Sequence, residues 1–127
     1  MDVMKTHGAF SWSELTTTDP AKAVEFYGKL FAWKVEKMDM PQGAYHVGKV
    51  GDASICGIMS APPGAGAMPP HWGVYVTVTD VDATAKDCVK LGGKLCMGPH
   101  DIPGVGRMVV LQDPQGAFFS AITYNMS

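Results

Sequence analysis

The stretch SWSELTTTDPAKAVEFYGKLFAW, residues 11–33, recurs in altered form as HWGVYVTVTDVDATAKDCVKLGGK, residues 71–94. Asp19 aligns with Asp80, and the Lys-Leu pair that follows in each copy keeps the same offset of 61 residues. Self-similarity at this scale predicts a duplicated supersecondary unit rather than two unrelated halves.

Each copy predicts a strand, a helix and then three further strands. Asp19 followed by Pro20 is typical of a helix N-terminus. Asp80 takes the same position in the second copy, where Gly92-Gly93 ends the helix. The later strands are predicted from WKVEKMD, AYHVGKV and SICGIMS in the first copy, and from GKLCMGP, GRMVVLQ and GAFFSAIT in the second. The sequence therefore predicts an α+β fold of two βαβββ modules.

A proline- and glycine-rich stretch separates the two copies. SAPPGAGAMPP, residues 60–70, cannot form a helix or a central strand. We therefore expect a single domain over 1–127, with module one at about 9–60, a linker at 61–70 and module two at 71–124.

Composition excludes several classes of function. The chain of 127 residues has a formal net charge of −2 and no basic stripe, which argues against nucleic acid and against a membrane surface. The first ten residues lack the pattern of a signal peptide, and three cysteines without CxxC spacing favour neither disulfides nor zinc. We therefore expect a cytoplasmic protein.

The alternation of side chains along a strand predicts which of them point away from the helices. In the strand after the linker, valines alternate with a second set that includes His71 and Tyr75. The offset of 61 residues transfers this second face to Trp12 and Glu14 in the first copy. A sheet curved so that this face is concave would surround a cavity lined by these four residues. If Glu14 lies against the indole inside a closed pocket, desolvation would raise its pKa and suit it to general acid or general base catalysis. If Glu14 lies at the open rim of the pocket, its carboxylate would stay solvated.

The motifs resemble a known superfamily. SWSELTTTDPAKAVEFYGKLFAW, its second copy and the ending IPGVGRMVVLQDPQGAFFSAI, residues 102–122, resemble the glyoxalase/bleomycin-resistance/extradiol-dioxygenase fold, the vicinal oxygen chelate superfamily. The resemblance covers about residues 9–124 and implies curved mixed sheets around a cavity. It does not specify a reaction, because one fold supports many chemistries.

The same resemblance indicates where metal ligands would lie. The corresponding positions here are Trp12, Gly73, Ser120 and either Cys56 or Gly57. Trp12, Gly73 and Ser120 are not credible ligands for a divalent metal. We therefore expect a member that lacks the usual metal ligands and has no cofactor, although a displaced metal site using Glu14 and His71 stays open.

Two classes of function remain. The first is a glyoxalase-like protein that binds a small organic molecule in a metal-free cavity. The second is an enzyme: a lyase or isomerase with Glu14 as general base and Tyr75 or His71 assisting, or a metal-dependent glyoxalase or dioxygenase with a displaced site. The residues predicted to contact the ligand are Trp12, His71, Tyr75, Phe118 and Ser120. Exposed strand edges predict a homodimer, and the resemblance implies the same, because members of the superfamily often form dimers.

Overall fold

The computed structural model describes residues 1–40, 43–61 and 69–125. The elements are, in order, β1 (Phe10–Thr17), α1 (Pro20–Phe31), β2 (Lys34–Met40), β3 (Gly43–Val50), β4 (Ala53–Ser60), β5 (His71–Thr77), α2 (Val81–Lys90), β6 (Lys94–Ile102), β7 (Gly106–Gln112) and β8 (Phe118–Tyr124). This is the predicted α+β order of strand, helix and three strands, occurring twice. Residues 41–42, where Pro41-Gln42-Gly43 predicts a turn, and residues 62–68 of the predicted linker lie outside the described residues.

The chain divides into two compact units. The first-module unit is Trp12–Gly73, and the second-module unit combines Met1–Ser11 with Val74–Ser127. In the first, the strands follow the order β2-β3-β4-β1, with β1 parallel to β4 and the other pairs antiparallel. In the second, the order is β5-β8-β7-β6, with β5 parallel to β8 and the other pairs antiparallel. Each unit thus contains a mixed sheet of the same design.

Both helices begin at the predicted caps. The Asp19 carboxylate accepts a hydrogen bond of 3.1 Å from the backbone N–H of Lys22, and Asp80 does the same for Ala83 at 3.1 Å. Each cap satisfies a backbone donor that the first turn of a helix leaves without an intrahelical partner. The α2 helix ends at Lys90, just before the predicted glycine pair.

The α2 helix packs on a closed apolar core. Val81 and Ala85 of α2 are 2% and 6% exposed and contact the buried Val109 and Leu111. The α1 helix contributes no buried residue, although the spacing of Ala23, Tyr27, Leu30 and Phe31 predicts a shared apolar face. Phe26, Leu30 and Phe31 are each more than half exposed. Helix α2 therefore buries two side chains, whereas α1 buries none.

The N-terminal residues pack with the second module rather than the first. Gly8 donates its N–H to the Thr77 carbonyl at 2.7 Å, and Thr77 donates back to the Ala9 carbonyl at 2.8 Å. The Ser11 and Tyr124 hydroxyls lie 2.7 Å apart. None of the helices in the described ranges is long and apolar enough to cross a membrane.

Candidate functional site

Three side chains of the first-module unit form one hydrogen-bonded group, which we call the Tyr45 cluster: Trp12, Tyr45 and Glu14. The indole Nε1 of Trp12 donates to the Tyr45 hydroxyl oxygen at 2.9 Å. The same hydroxyl donates to Oε2 of Glu14 at 2.7 Å. The two bonds run in one direction, from the indole through the phenol to the carboxylate.

The sheet explains how these residues meet. Trp12 and Glu14 are two apart on β1 and so share a face, while the intervening Ser13 points to the α1 side, where it lines a cavity. Glu14 faces away from α1, as the sequence predicts. Tyr45 comes from β3, and its side chain crosses β4 to reach β1.

A glycine makes this crossing possible. Gly57 of β4 lies opposite Glu14 in the strand register. A Cβ at Gly57 would collide with the Tyr45 hydroxyl, and would lie 2.9 Å from Cε1 of the ring. No pattern in the sequence assigned Tyr45 to this site. A glycine inside a strand was the available signal, since it often marks a place where another group approaches the backbone closely.

The environment keeps the Tyr45 hydroxyl protonated. Burial raises the pKa of Tyr45 well above its ordinary value, and the neighbouring Glu14 carboxylate raises it further. Burial disfavours the charged phenolate, and a nearby negative charge disfavours it again. Tyr45 is therefore a permanent donor that holds Glu14 in one orientation.

The positions that would carry metal ligands in the superfamily do not fit a divalent metal. In the second module the ligand position Ser120 pairs with Tyr75, which aligns with Glu14 at the offset of 61 residues. Because the residue that pairs with Glu14 is Gly57, the counterpart of Ser120 is Gly57 rather than Cys56. The space that a ligand side chain would use there is filled by the Tyr45 hydroxyl. Trp12 presents an indole N–H, which is a hydrogen-bond donor and offers no lone pair to coordinate a metal ion. In the part of the chain that the structure describes, no three His, Cys, Asp or Glu side chains lie close enough to hold a metal ion.

His71 has a local partner. Its Nδ1 lies 3.0 Å from the carbonyl oxygen of Pro69. The next residue, Trp72, packs against Tyr27 of α1, so alternation turns His71 away from α1, as it does Glu14. The predicted role of His71 in ligand contact stays a prediction.

The remaining predicted residues lie in the second-module unit. Tyr75 pairs with Ser120 across β5 and β8, and Phe118 lies two residues earlier on β8. These three share a sheet face by register and alternation. Tyr75 is 7% exposed, whereas Phe118 is 49% exposed. Their participation in a site with Trp12 and Glu14 stays a prediction.

Comparisons with known proteins agree with this architecture. The model of the Glyoxalase/Bleomycin resistance protein/Dioxygenase superfamily matches residues 9–120. A Mycobacterium bovis protein named "Putative glyoxylase CFP32" is 44% identical over 117 residues, which are 91% of this chain and 44% of that protein. The anthracycline biosynthesis protein DauV of Streptomyces sp. is 32% identical over 126 residues, covering 89% of this chain and 46% of that protein. The chain therefore spans less than half the length of both relatives.

A solved structure shows the same fold. A Streptomyces coelicolor methylmalonyl-CoA epimerase in complex with 2-nitronate-propionyl-CoA has a TM-score of 0.68 to this chain. The likeness covers 95% of this chain and 97% of that chain at 18% sequence identity, which shows the fold alone. Because the family model matches most of the chain, and the fold agrees, the chain belongs to the Glyoxalase/Bleomycin resistance protein/Dioxygenase superfamily.

Proposed function

We propose that this protein binds a small organic molecule against the face that carries the Tyr45 cluster, without using a metal. The observation that supports this most directly is the pair of bonds that joins Trp12, Tyr45 and Glu14 on one face of the sheet. A site of this kind combines an aromatic surface with a few fixed polar groups, as small-molecule sites usually do.

The cluster indicates what the ligand would offer. Trp12 supplies a flat apolar surface, although its N–H is already used by Tyr45. Glu14 supplies a carboxylate, whose oxygens are hydrogen-bond acceptors, and its Oε2 accepts from Tyr45. A ligand with an apolar body and an N–H or O–H donor would therefore be complementary to this face.

A second candidate is an isomerase or lyase in which Glu14 is the general base. The observation in its favour is that Tyr45 holds the carboxylate in a fixed orientation, as proton transfer requires. Because the epimerase resembles this chain only in fold, its substrate is not transferred here. The two relatives carry names from different areas of metabolism and so favour no single substrate.

The first experiment is a ligand screen by thermal shift, in buffer with EDTA, followed by calorimetric titration of each hit. Trp12→Phe, Glu14→Gln and Tyr45→Phe should each weaken binding by about tenfold or more, because a bond worth about 1.4 kcal/mol is lost. Tyr124→Phe is the matched control, since it also removes a phenol that has a hydrogen bond, here to Ser11.

The outcomes separate the two candidates. Hits that bind all four variants equally would refute the proposed site. If a hit is also converted by the protein, Glu14→Gln should slow that conversion by about 100-fold for an acid–base enzyme. Unchanged turnover in Glu14→Gln would exclude the base mechanism and leave the binding function intact.

A further inference from the structure

A cavity of about 420 Å³ lies on the other side of the same sheet, between α1 and β4 of the first-module unit. Ser13 lines it from β1, midway between Trp12 and Glu14 but on the opposite face. Its volume falls within the range of about 300–1,000 Å³ that is usual for small-molecule sites. Strand β1 therefore has the Tyr45 cluster on one side and this aromatic cavity on the other.

The walls of the cavity are aromatic rings in two orientations. Tyr27 and Trp33 are stacked, with ring centroids 5.6 Å apart and planes 16° apart. Trp72 stands almost perpendicular to both, at 83° to Tyr27 and 86° to Trp33. These planes form a corner that suits a flat ring, which could stack on one wall and meet the other edge to face.

Two polar groups of the walls bind each other. The indole Nε1 of Trp72 donates to the Tyr27 hydroxyl at 3.1 Å. What the walls present to the cavity is therefore mostly ring carbon.

The inner end of the cavity carries no charge. Cys56, which lines the cavity, is 2% exposed, and burial raises the pKa of its thiol. Among the described residues, no Asp, Glu, Lys or Arg side chain lines the cavity. A charged ligand would lose its hydration here without an opposite charge to replace it, so the cavity favours a neutral one.

The second copy of the repeat has a smaller pocket beside its helix, of about 290 Å³, and Phe119 is the one aromatic residue among the described residues that line it. Helix α2 of that copy buries Val81 and Ala85 against the core. In the first copy α1 leaves Phe31 at 55% exposure, and Trp72 is 40% exposed. The burial of Cys56 favours a small molecule over a second copy of the chain as the occupant. The flat surface of a second copy could cover the exposed rings but could not reach the buried thiol.

We infer that this aromatic cavity is a binding site for a neutral, planar aromatic molecule. It is separate from the Tyr45 cluster and does not depend on the function proposed for that cluster. The ligand would lie between α1 and β4, with Trp33 and Trp72 within stacking distance and the Ser13 hydroxyl and the Cys56 thiol at its inner edge.

The test uses N-phenyl-1-naphthylamine, a neutral aromatic amine whose fluorescence increases in apolar surroundings. We expect saturable binding of one probe per chain to the full protein, with energy transfer from tryptophan. Ser13→Leu places a larger side chain in the cavity and should weaken probe binding by about tenfold or more. Ser60→Leu makes the same change at an exposed position of β4 and should leave the affinity unchanged.

Two further measurements keep the result interpretable. The thermal midpoint of Ser13→Leu should not fall below that of Ser60→Leu, which separates a filled cavity from a misfolded chain. Glu14→Gln alters only the opposite face and should leave the probe affinity within about twofold. A loss of probe binding in Glu14→Gln would show that the probe occupies the Tyr45 cluster, and would overturn the inference.

Other outcomes would also overturn it. Absence of saturable binding, or equal affinity in Ser13→Leu and wild type, would show that the cavity is not a site for such molecules. The same conclusion would follow if the probe fails to bind and sedimentation shows a dimer that Phe31→Ser dissociates, because a second copy would then cover this face.

Discussion

Gly57→Ala should disrupt the Tyr45 cluster from a position that makes none of its hydrogen bonds. The new Cβ would occupy the place of the Tyr45 hydroxyl and lie 2.9 Å from Cε1 of its ring, so the ring must leave. The departure breaks the Trp12–Tyr45 bond, worth about 1 kcal/mol, and the bond to the Glu14 carboxylate, worth about 1.5–3 kcal/mol. We expect the free energy of unfolding to fall by about 3 kcal/mol, a large part of the 5–15 kcal/mol typical of a domain.

The assay is equilibrium urea unfolding followed by circular dichroism. With a slope of about 2 kcal/mol per molar urea, the midpoint should fall by about 1.5 M. Gly73→Ala is the matched control, because the nearest atom to its Cβ would be the Glu14 carbonyl oxygen at 3.9 Å. Its midpoint should stay within a few tenths of a molar of wild type.

A double-mutant cycle tests the cause of the loss. In a Tyr45→Ala background the space above Gly57 is empty, so Gly57→Ala should cost less than about 0.5 kcal/mol. The reasoning is refuted if Gly57→Ala is as stable as wild type. It is refuted equally if the full cost persists after Tyr45 has been removed.

Three further predictions use other parts of the chain. Protein purified without chelator or affinity tag should contain well below one zinc, nickel, iron, manganese or cobalt per chain by elemental analysis; a stoichiometric metal would contradict the metal-free site. Arg107 donates two hydrogen bonds to Asp82 and lowers the pKa of that carboxyl, so the stability from this pair is present above the ordinary pKa of aspartate and is lost as pH falls through the lowered value. Urea midpoints measured from pH 5 to pH 2 should therefore fall less steeply in Arg107→Gln than in wild type, and parallel profiles would count against this. Burial raises the pKa of the Cys56 thiol, so Cys56 should react with Ellman's reagent at pH 8 far more slowly than the exposed Cys96. The Cys96→Ser variant would identify the contribution of Cys96, and equal rates for the two thiols would contradict the burial of Cys56.

Local signals in the sequence predicted the elements and the direction of one strand face. Asp19 and Asp80 cap helices through bonds to residues only three positions away, so the chain encodes them locally. Trp12 and Glu14 share a face because side chains alternate along any strand, whatever the strand pairs with.

Tyr45 could not be assigned to the site in the same way. It is 31 residues from Glu14 in sequence, and its place depends on the strand order β3-β4-β1 and on the absence of a side chain at Gly57. The choice between Cys56 and Gly57 likewise depended on the register of β1 with β4, since a shift of one residue turns every side chain to the opposite face.

The sequence by itself determined the repeat, the order of the strands and helices, and the side of β1 on which Glu14 lies. These follow from hydrogen bonds and periodicities that span a few residues. Only the tertiary structure decided that a phenol from β3 holds that glutamate, and that α1 borders an open aromatic cavity while α2 packs on a closed core. Those features depend on contacts between side chains of different strands and layers. The residues that make these contacts lie far apart in the sequence.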